Sequence, residues 1–160
     1  VKVKTDFANA GDSIGMRNGP FVSLRIFEEF FIPYYKILVN FLKEIGIDVI
    51  MYSSDGDITL LVPFLLKLGF NCIHHLEKMA GMDALSLREQ YGEKLALIGN
   101  VDKMALIKSK VAIREEVKSK WPIAKEGGYI YSVDHWVPPE VSFENYTYYV
   151  NLVKKISNQI

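Results

Sequence analysis

The chain has 160 residues, 49% of them apolar and 24% charged, with 19 basic residues balancing 19 acidic ones. That composition describes one globular domain with a sizeable core and excludes a disordered chain, and the zero net charge gives no argument for nucleic acid or an anionic membrane. The longest dense apolar run, Thr59 to Phe70, is broken by Pro63 and Lys67 and is too short to span a bilayer. No secretory signal opens the chain, and the single cysteine, Cys72, excludes an internal disulfide framework, so the expected location is the cytoplasm.

Five short apolar segments read as strands, at Val1–Phe7, Asp48–Ser53, Asn71–Leu76, Leu95–Ile98 and Gly128–Ser132. After the first, Ser23 is placed to cap a long helix running to Leu42, whose apolar residues Ile26, Phe27, Phe30, Phe31, Tyr34, Ile37, Leu38 and Phe41 follow the helical period. Pro33 predicts a kink or break in it. A second helix is expected over Ile58–Leu68 with Gly69 as its stop, and a third over Ala84–Tyr91 stopped by Gly92. The fourth covers 103–119, with Ile113, Val117 and Trp121 on one face. Gly127-Gly128 is a turn, Pro138-Pro139 breaks the chain, and a last helix begins at Ser142.

Strands alternating with helices predict a parallel sheet with helices outside it, and chemistry at the C-terminal strand ends. The chain starts with Val rather than Met, directly in a strand, and five parallel strands leave both sheet edges unpaired. The expectation is therefore one partial domain over 1–160, the C-terminal part of a (β/α)8 barrel with about five parallel strands and intervening helices. A complete, open five-stranded α/β domain is the alternative.

Polar residues cluster at the expected strand ends. Asp6, Asn9 and Asp12, followed by Gly15, Arg17 and Gly19, form a loop able to hold backbone close to a ligand; solvated capping acids are the plainer reading. Tyr52-Ser53-Ser54-Asp55-Gly56-Asp57 leads into a helix, with Asp57 suited to capping and Ser53, Ser54 and Asp55 to a pocket. In His74-His75-Leu76-Glu77, strand alternation puts His75 and Glu77 on one side and His74 on the other; hydrogen-bonded structural histidines are the plain reading. His135, beside Trp136 and ahead of Pro138-Pro139, is the strongest site candidate. Cys72, inside a strand, reads as a small buried hydrophobe. Dinucleotide, Walker-type, nucleophile-elbow, Cys-x-x-Cys and His-Glu-x-x-His motifs are all absent.

One ordered set of short motifs spans about Lys4 to Ile156. It comprises Glu28-Glu29-Phe30 with Pro33-Tyr34, Ser54-Asp-Gly-Asp-Ile58, Ala80-Gly-Met-Asp83, Tyr91-Gly92, Gly99-Asn-Val-Asp102, Gly127-Gly-Tyr-Ile130, and His135-x-x-Pro-Pro139 with Glu144-Asn145. In that order it resembles the C-terminal part of the uroporphyrinogen decarboxylase superfamily. The resemblance implies a (β/α)8 barrel of roughly twice this length and two chemistries. One is cofactor-free decarboxylation of a porphyrinogen, with Ser54 and His135 as catalytic residues and Asp6, Asp12, Ser53 and Asp55 about the substrate. The other is zinc-dependent methyl transfer between a corrinoid protein and a thiol.

The methyltransferase pattern of His-x-Cys and a later Cys is replaced here by Ser53-x-Asp55 and His135. No metal or cofactor is therefore favoured, and Asp55, Glu77 and His135 are the ligands if zinc is held. The leading expectation is a carboxy-lyase domain of tetrapyrrole metabolism, inactive as an isolated piece. A corrinoid-dependent methyltransferase is the alternative, and a non-catalytic remnant or binding module a third. The expected partners are a small-molecule substrate, a corrinoid protein for the second reading, and further copies of the chain, with neither nucleic acid nor membrane.

Overall fold

A computed structural model describes residues 5–159. Five strands, β1 (Phe7–Ala10), β4 (Val49–Ser53), β5 (Cys72–His74), β6 (Ala96–Val101) and β7 (Tyr129–Val133), form one sheet in that spatial order, and every pair in it is parallel. Two-residue strands β2 (Gly15–Met16) and β3 (Gly19–Pro20) make a small antiparallel hairpin in the loop after β1. The arrangement is the five-stranded α/β arc expected of a partial barrel, with helices following the strands. Among the described residues no helix is long and apolar enough to cross a membrane.

The first crossover runs through α1 (Leu24–Ile26), a π-helical stretch at Phe27–Phe31, and α2 (Ile32–Glu44). Ser23 caps it by accepting the Ile26 N–H. Pro33 does not break the helix. It sits in the first turn of α2, where its missing N–H costs little, and the π turn directly ahead takes up the irregularity. The second crossover is a 3-10 turn at Thr59–Leu61 leading into α3 (Val62–Leu68), closed by left-handed Gly69. The third helix, α4 (Ala84–Tyr91), has the expected bounds and is capped by the Asp83 carboxylate.

The expected helix over 103–119 is two helices. Ser109 is extended between α5 (Lys103–Lys108) and α6 (Lys110–Ser119), and its hydroxyl caps α6 through the Ala112 N–H. Trp121 does not continue that face but opens a further short helix, α7 (Trp121–Glu126), with Pro122 in its first turn. The last helix, α8 (Phe143–Ser157), begins after Ser142 as read from the sequence.

The two faces of the sheet differ. Ala8, Ile50, Tyr52, Ile73, Leu97 and Tyr129 point into the core beneath α2, α3 and α4. A second, smaller core joins Val101, Leu106, Ile113, Val117, Val133 and Tyr149 between β6, β7 and helices α5, α6 and α8. The opposite sheet face is open in part: Phe7, Val49 and Ile130 on it are exposed, whereas Met51 and Cys72 are buried. Cys72 is buried as expected, and burial pushes its thiol up to about 11.

The expected first strand is displaced. Val1–Lys4 lie outside the described residues, and the observed strand starts at Phe7, with Phe7 opposite Val49 and Ala10 opposite Tyr52. Asp6 therefore precedes the strand and sits at the N-terminal end of the sheet, away from Ser53 and His74.

Candidate functional site

The C-terminal ends of β4, β5 and β7 converge on one carboxylate. Asp55, just beyond β4, has its Oδ1 at 3.3 Å from Nε2 of His135 and 3.9 Å from Nε2 of His75. The two imidazole centroids are 6.1 Å apart, and the His74 ring lies against His75 at 3.7 Å. The expected split of His74 from His75 does not hold, because β5 ends at His74 and strand alternation ends with it. The three rings line a cleft of about 590 Å³ with Tyr131, Ser132, Trp136, Tyr146, Tyr149 and Lys154. Trp136 is 81% exposed and forms part of its rim.

Asp55 owes its position to the residues around it. Ser54 is buried, and its hydroxyl accepts the N–H groups of Ile14 and Gly15, each at 3.2 Å. Its backbone N–H donates to the His74 carbonyl and its carbonyl accepts the His75 N–H. The expected catalytic serine thus has its oxygen engaged by the neighbouring loop rather than presented to the cleft. A β-carbon at Gly15 would come within 2.2 Å of the Asp55 carbonyl, and Gly56 adopts φ +67° against the same strand, so both positions demand glycine.

Ser53 and Asn9 form a separate polar step on the open sheet face. The Ser53 hydroxyl donates to Asn9 Oδ1 at 2.8 Å and lies 3.4 Å from Nδ1 of His74. Asp12 is taken up elsewhere, accepting the hydroxyl of Tyr35, which in turn lies 3.2 Å from the Tyr52 hydroxyl. Asp57 caps the turn after it through the Thr59 N–H, as its spacing suggested.

Glu77 and Asp134 belong to a charged cluster around Lys103, a pairing that the sequence alone does not show. Asp134 is completely buried; its two oxygens accept the N–H groups of Lys78 and Lys103, each at 3.0 Å. Burial raises its carboxyl above the usual range against those hydrogen bonds and the nearby Lys103 ammonium. Lys103 Nζ is 3.0 Å from Glu77 and 3.7 Å from Asp134. Burial would raise the Glu77 carboxyl, but hydrogen bonds from Lys103 and the Gly56 N–H hold it below its ordinary value. The signal for Asp134 was its place directly before His135; nothing local in the sequence pairs Lys103 with Glu77.

Burial lowers both central histidines. His74 is depressed to about 4 by burial and by the adjacent His75, against the pull of Asp55. His75 is lowered by burial, with Asp55 opposing. The net effect on both rings is to favour the neutral imidazole, with the Asp55 carboxylate as the charge that opposes it.

The donor set does not fit the zinc site implied for a methyltransferase. No thiolate reaches the strand ends, Glu77 is bound to Lys103 and Gly56, and among the described residues no group of three His, Cys, Asp or Glu side chains is arranged to hold a metal ion.

Residues 11–156 match the uroporphyrinogen decarboxylase (URO-D) family. The chain is 28% identical over 152 residues to uroporphyrinogen decarboxylase of Pseudomonas putida, covering 86% of this chain and 39% of that protein. It is 27% identical over 142 residues to that of Carboxydothermus hydrogenoformans, covering 82% and 37%. A 90-residue stretch is 34% identical to the Pseudomonas entomophila protein, covering 50% of this chain and 25% of that one. Among solved structures, a methyltransferase from Methanosarcina mazei superposes with a TM-score of 0.67 at 19% identity, over 93% of this chain and 42% of that one. The chain thus spans about two-fifths or less of the length of these curated relatives.

Proposed function

Because the chain belongs to the uroporphyrinogen decarboxylase family, we propose that its strand-end face carries the acid–base part of a carboxy-lyase centre acting on a carboxylate-bearing tetrapyrrole or a related substrate. The observation that carries this reading is the convergence of His135 and His75 on Asp55 beside an aromatic cleft. An imidazolium at that place offers a cation to a substrate carboxylate and a proton to the carbon that loses it.

In this reaction the bond between the substrate carbon and its carboxylate breaks. The electron pair stays on the substrate and spreads into the adjoining pyrrole, and CO2 leaves. The imidazolium of His135 then delivers its proton to that carbon. The substrate supplies the electron sink, so the protein's part is to orient it and to hold charge. Ser54 acts through the loop it holds, and Ser53 with Asn9 lines the open face. No step passes through a metal.

The chain alone is proposed to bind such a substrate without turning it over, since it spans about two-fifths or less of its curated relatives. Methyl transfer with a corrinoid partner remains the second reading within the superfamily, and the engagement of Glu77 by Lys103 speaks against its zinc. The test is an anaerobic titration of the chain with uroporphyrinogen. Saturable binding weakened by His135→Ala supports the carboxy-lyase reading; no binding overturns it.

A further inference from the structure

Asp55 stands on a segment fixed from both sides. Ser54 ties it to the loop of Ile14 and Gly15 and to β5, while the Gly56 N–H donates to Glu77 and the Asp57 N–H to the Met16 carbonyl. Its Oδ2 accepts the Ser13 hydroxyl at 3.1 Å, which leaves Oδ1 turned to the imidazoles. Of these, His135 Nε2 at 3.3 Å is the nearer ion-pair contact, and His75 Nε2 stands off at 3.9 Å. A carboxylate accepts and does not donate, and it repels the lone pair of a bare ring nitrogen, so it favours hydrogen on the nitrogen that faces it.

Resting on the carboxy-lyase reading, we infer that Asp55 is a positioning residue that fixes His135 with its hydrogen on Nε2, making Nδ1 the nitrogen that exchanges protons with the substrate. In the neutral ring so fixed, Nδ1 is the acceptor. Once protonated, it is the acid that supplies the proton to the decarboxylated carbon, while Nε2–H stays on Asp55. The same oxygen faces His75 at the longer distance. This is the part a carboxylate behind a histidine plays in other acid–base sites, where it sets tautomer and orientation without itself taking the proton.

The charged groups around His135 fit this division. Asp55 faces it from the loop after β4, and His74 and His75 from the end of β5. Glu77 follows β5, Lys103 begins α5, Asp134 precedes His135 in its own loop, and Lys154 reaches the cleft from α8. Glu77 and Asp134 are engaged by Lys103 and backbone N–H groups, so Asp55 is the carboxylate with an oxygen to spare for the ring.

The chain has three histidines, so its imidazole nitrogens can be assigned individually by nitrogen-15 NMR. The wild-type chain should show an exchange-protected Nε2–H on His135. Asp55→Asn should keep that signal, since the amide oxygen still accepts, and lower the titration midpoint of His75 by removing the charge. Asp55→Ala should lose the protected signal while the backbone amide spectrum of the two cores stays in place. Hydrogen found on Nδ1 of wild-type His135, or a protected Nε2–H unchanged in Asp55→Ala, overturns the inference. The readout needs no turnover: a correct tautomer in a chain that fails to bind uroporphyrinogen would sink the carboxy-lyase reading alone.

Discussion

Lys103 Nζ lies 3.0 Å from the Glu77 carboxylate and 3.7 Å from the buried Asp134. One cation thereby holds two acids, one of them fully buried, that the backbone N–H groups of Lys78, Lys103 and Gly56 satisfy in part. Removing it leaves those acids facing each other in a poorly solvated layer, and the loss of one partner costs far more than an exposed pair would.

Lys103→Met should therefore destabilise the fold by about 2–4 kcal/mol, less than for a fully enclosed pair because Glu77 keeps some solvent contact. Glu77→Gln should cost about 1 kcal/mol, since the amide still accepts from Lys103 and Gly56. Urea unfolding measures both, and a Lys103→Met variant as stable as wild type would contradict the account.

Ser54→Ala should cost about 1–3 kcal/mol, because the buried N–H groups of Ile14 and Gly15 then lose their acceptor. It should also weaken uroporphyrinogen binding by loosening Asp55. Unchanged stability with abolished binding would instead make the Ser54 hydroxyl a direct substrate contact.

Acid should weaken the fold in a defined window. The unfolded chain protonates His74 near 6.5 and the folded chain only near 4. Between those values the unfolded state binds more protons, so stability is full above about pH 6.5, falls as pH drops toward 4, and gains no further loss from this group below that. The lowered His75 adds in the same direction. His74→Gln should flatten part of the slope in unfolding measured at pH 7, 5.5 and 4.5; an unchanged slope would remove His74 from the explanation.

One face of the first crossover bears Phe30 in the π-helical stretch, Tyr34, Ile37 and Phe41 on α2 and Ile45 just after it, all exposed, with Tyr34 at 72%. Together with the outer edges of β1 and β7, which pair with no further strand among the described residues, this apolar stripe predicts self-association of the chain. Light scattering should show mass rising with concentration, and Tyr34→Lys with Ile37→Lys should return it toward a monomer. A clean monomer at high concentration in the wild type would contradict this.

Much of the arc was legible in the sequence because its signals are local. Gly92 and the Asp83 cap bound α4, and the apolar runs ending at Ser53 and before Asp134 mark β4 and β7. The misreadings fall where a tertiary partner decides. Phe7–Ala10 pairs by register with Val49–Tyr52, which moved Asp6 to the wrong end of the sheet for a site. Ser109 breaks a run that its apolar period alone would join. His135 and Asp55 were visible as strand-end polar residues, but their meeting across β5 and β6, and the Lys103 bridge, depend on sheet order rather than on spacing.

The most direct measurement is the anaerobic affinity of the chain for uroporphyrinogen against its carboxyl-esterified form, in wild type and His135→Ala. An acid–base centre built on imidazolium predicts that the free acid binds more tightly than the ester, and that His135→Ala weakens the free acid alone by about tenfold, equivalent to about 1.4 kcal/mol. Equal affinity for acid and ester, or a His135→Ala chain that binds the acid as well as wild type, would contradict the assignment of this site.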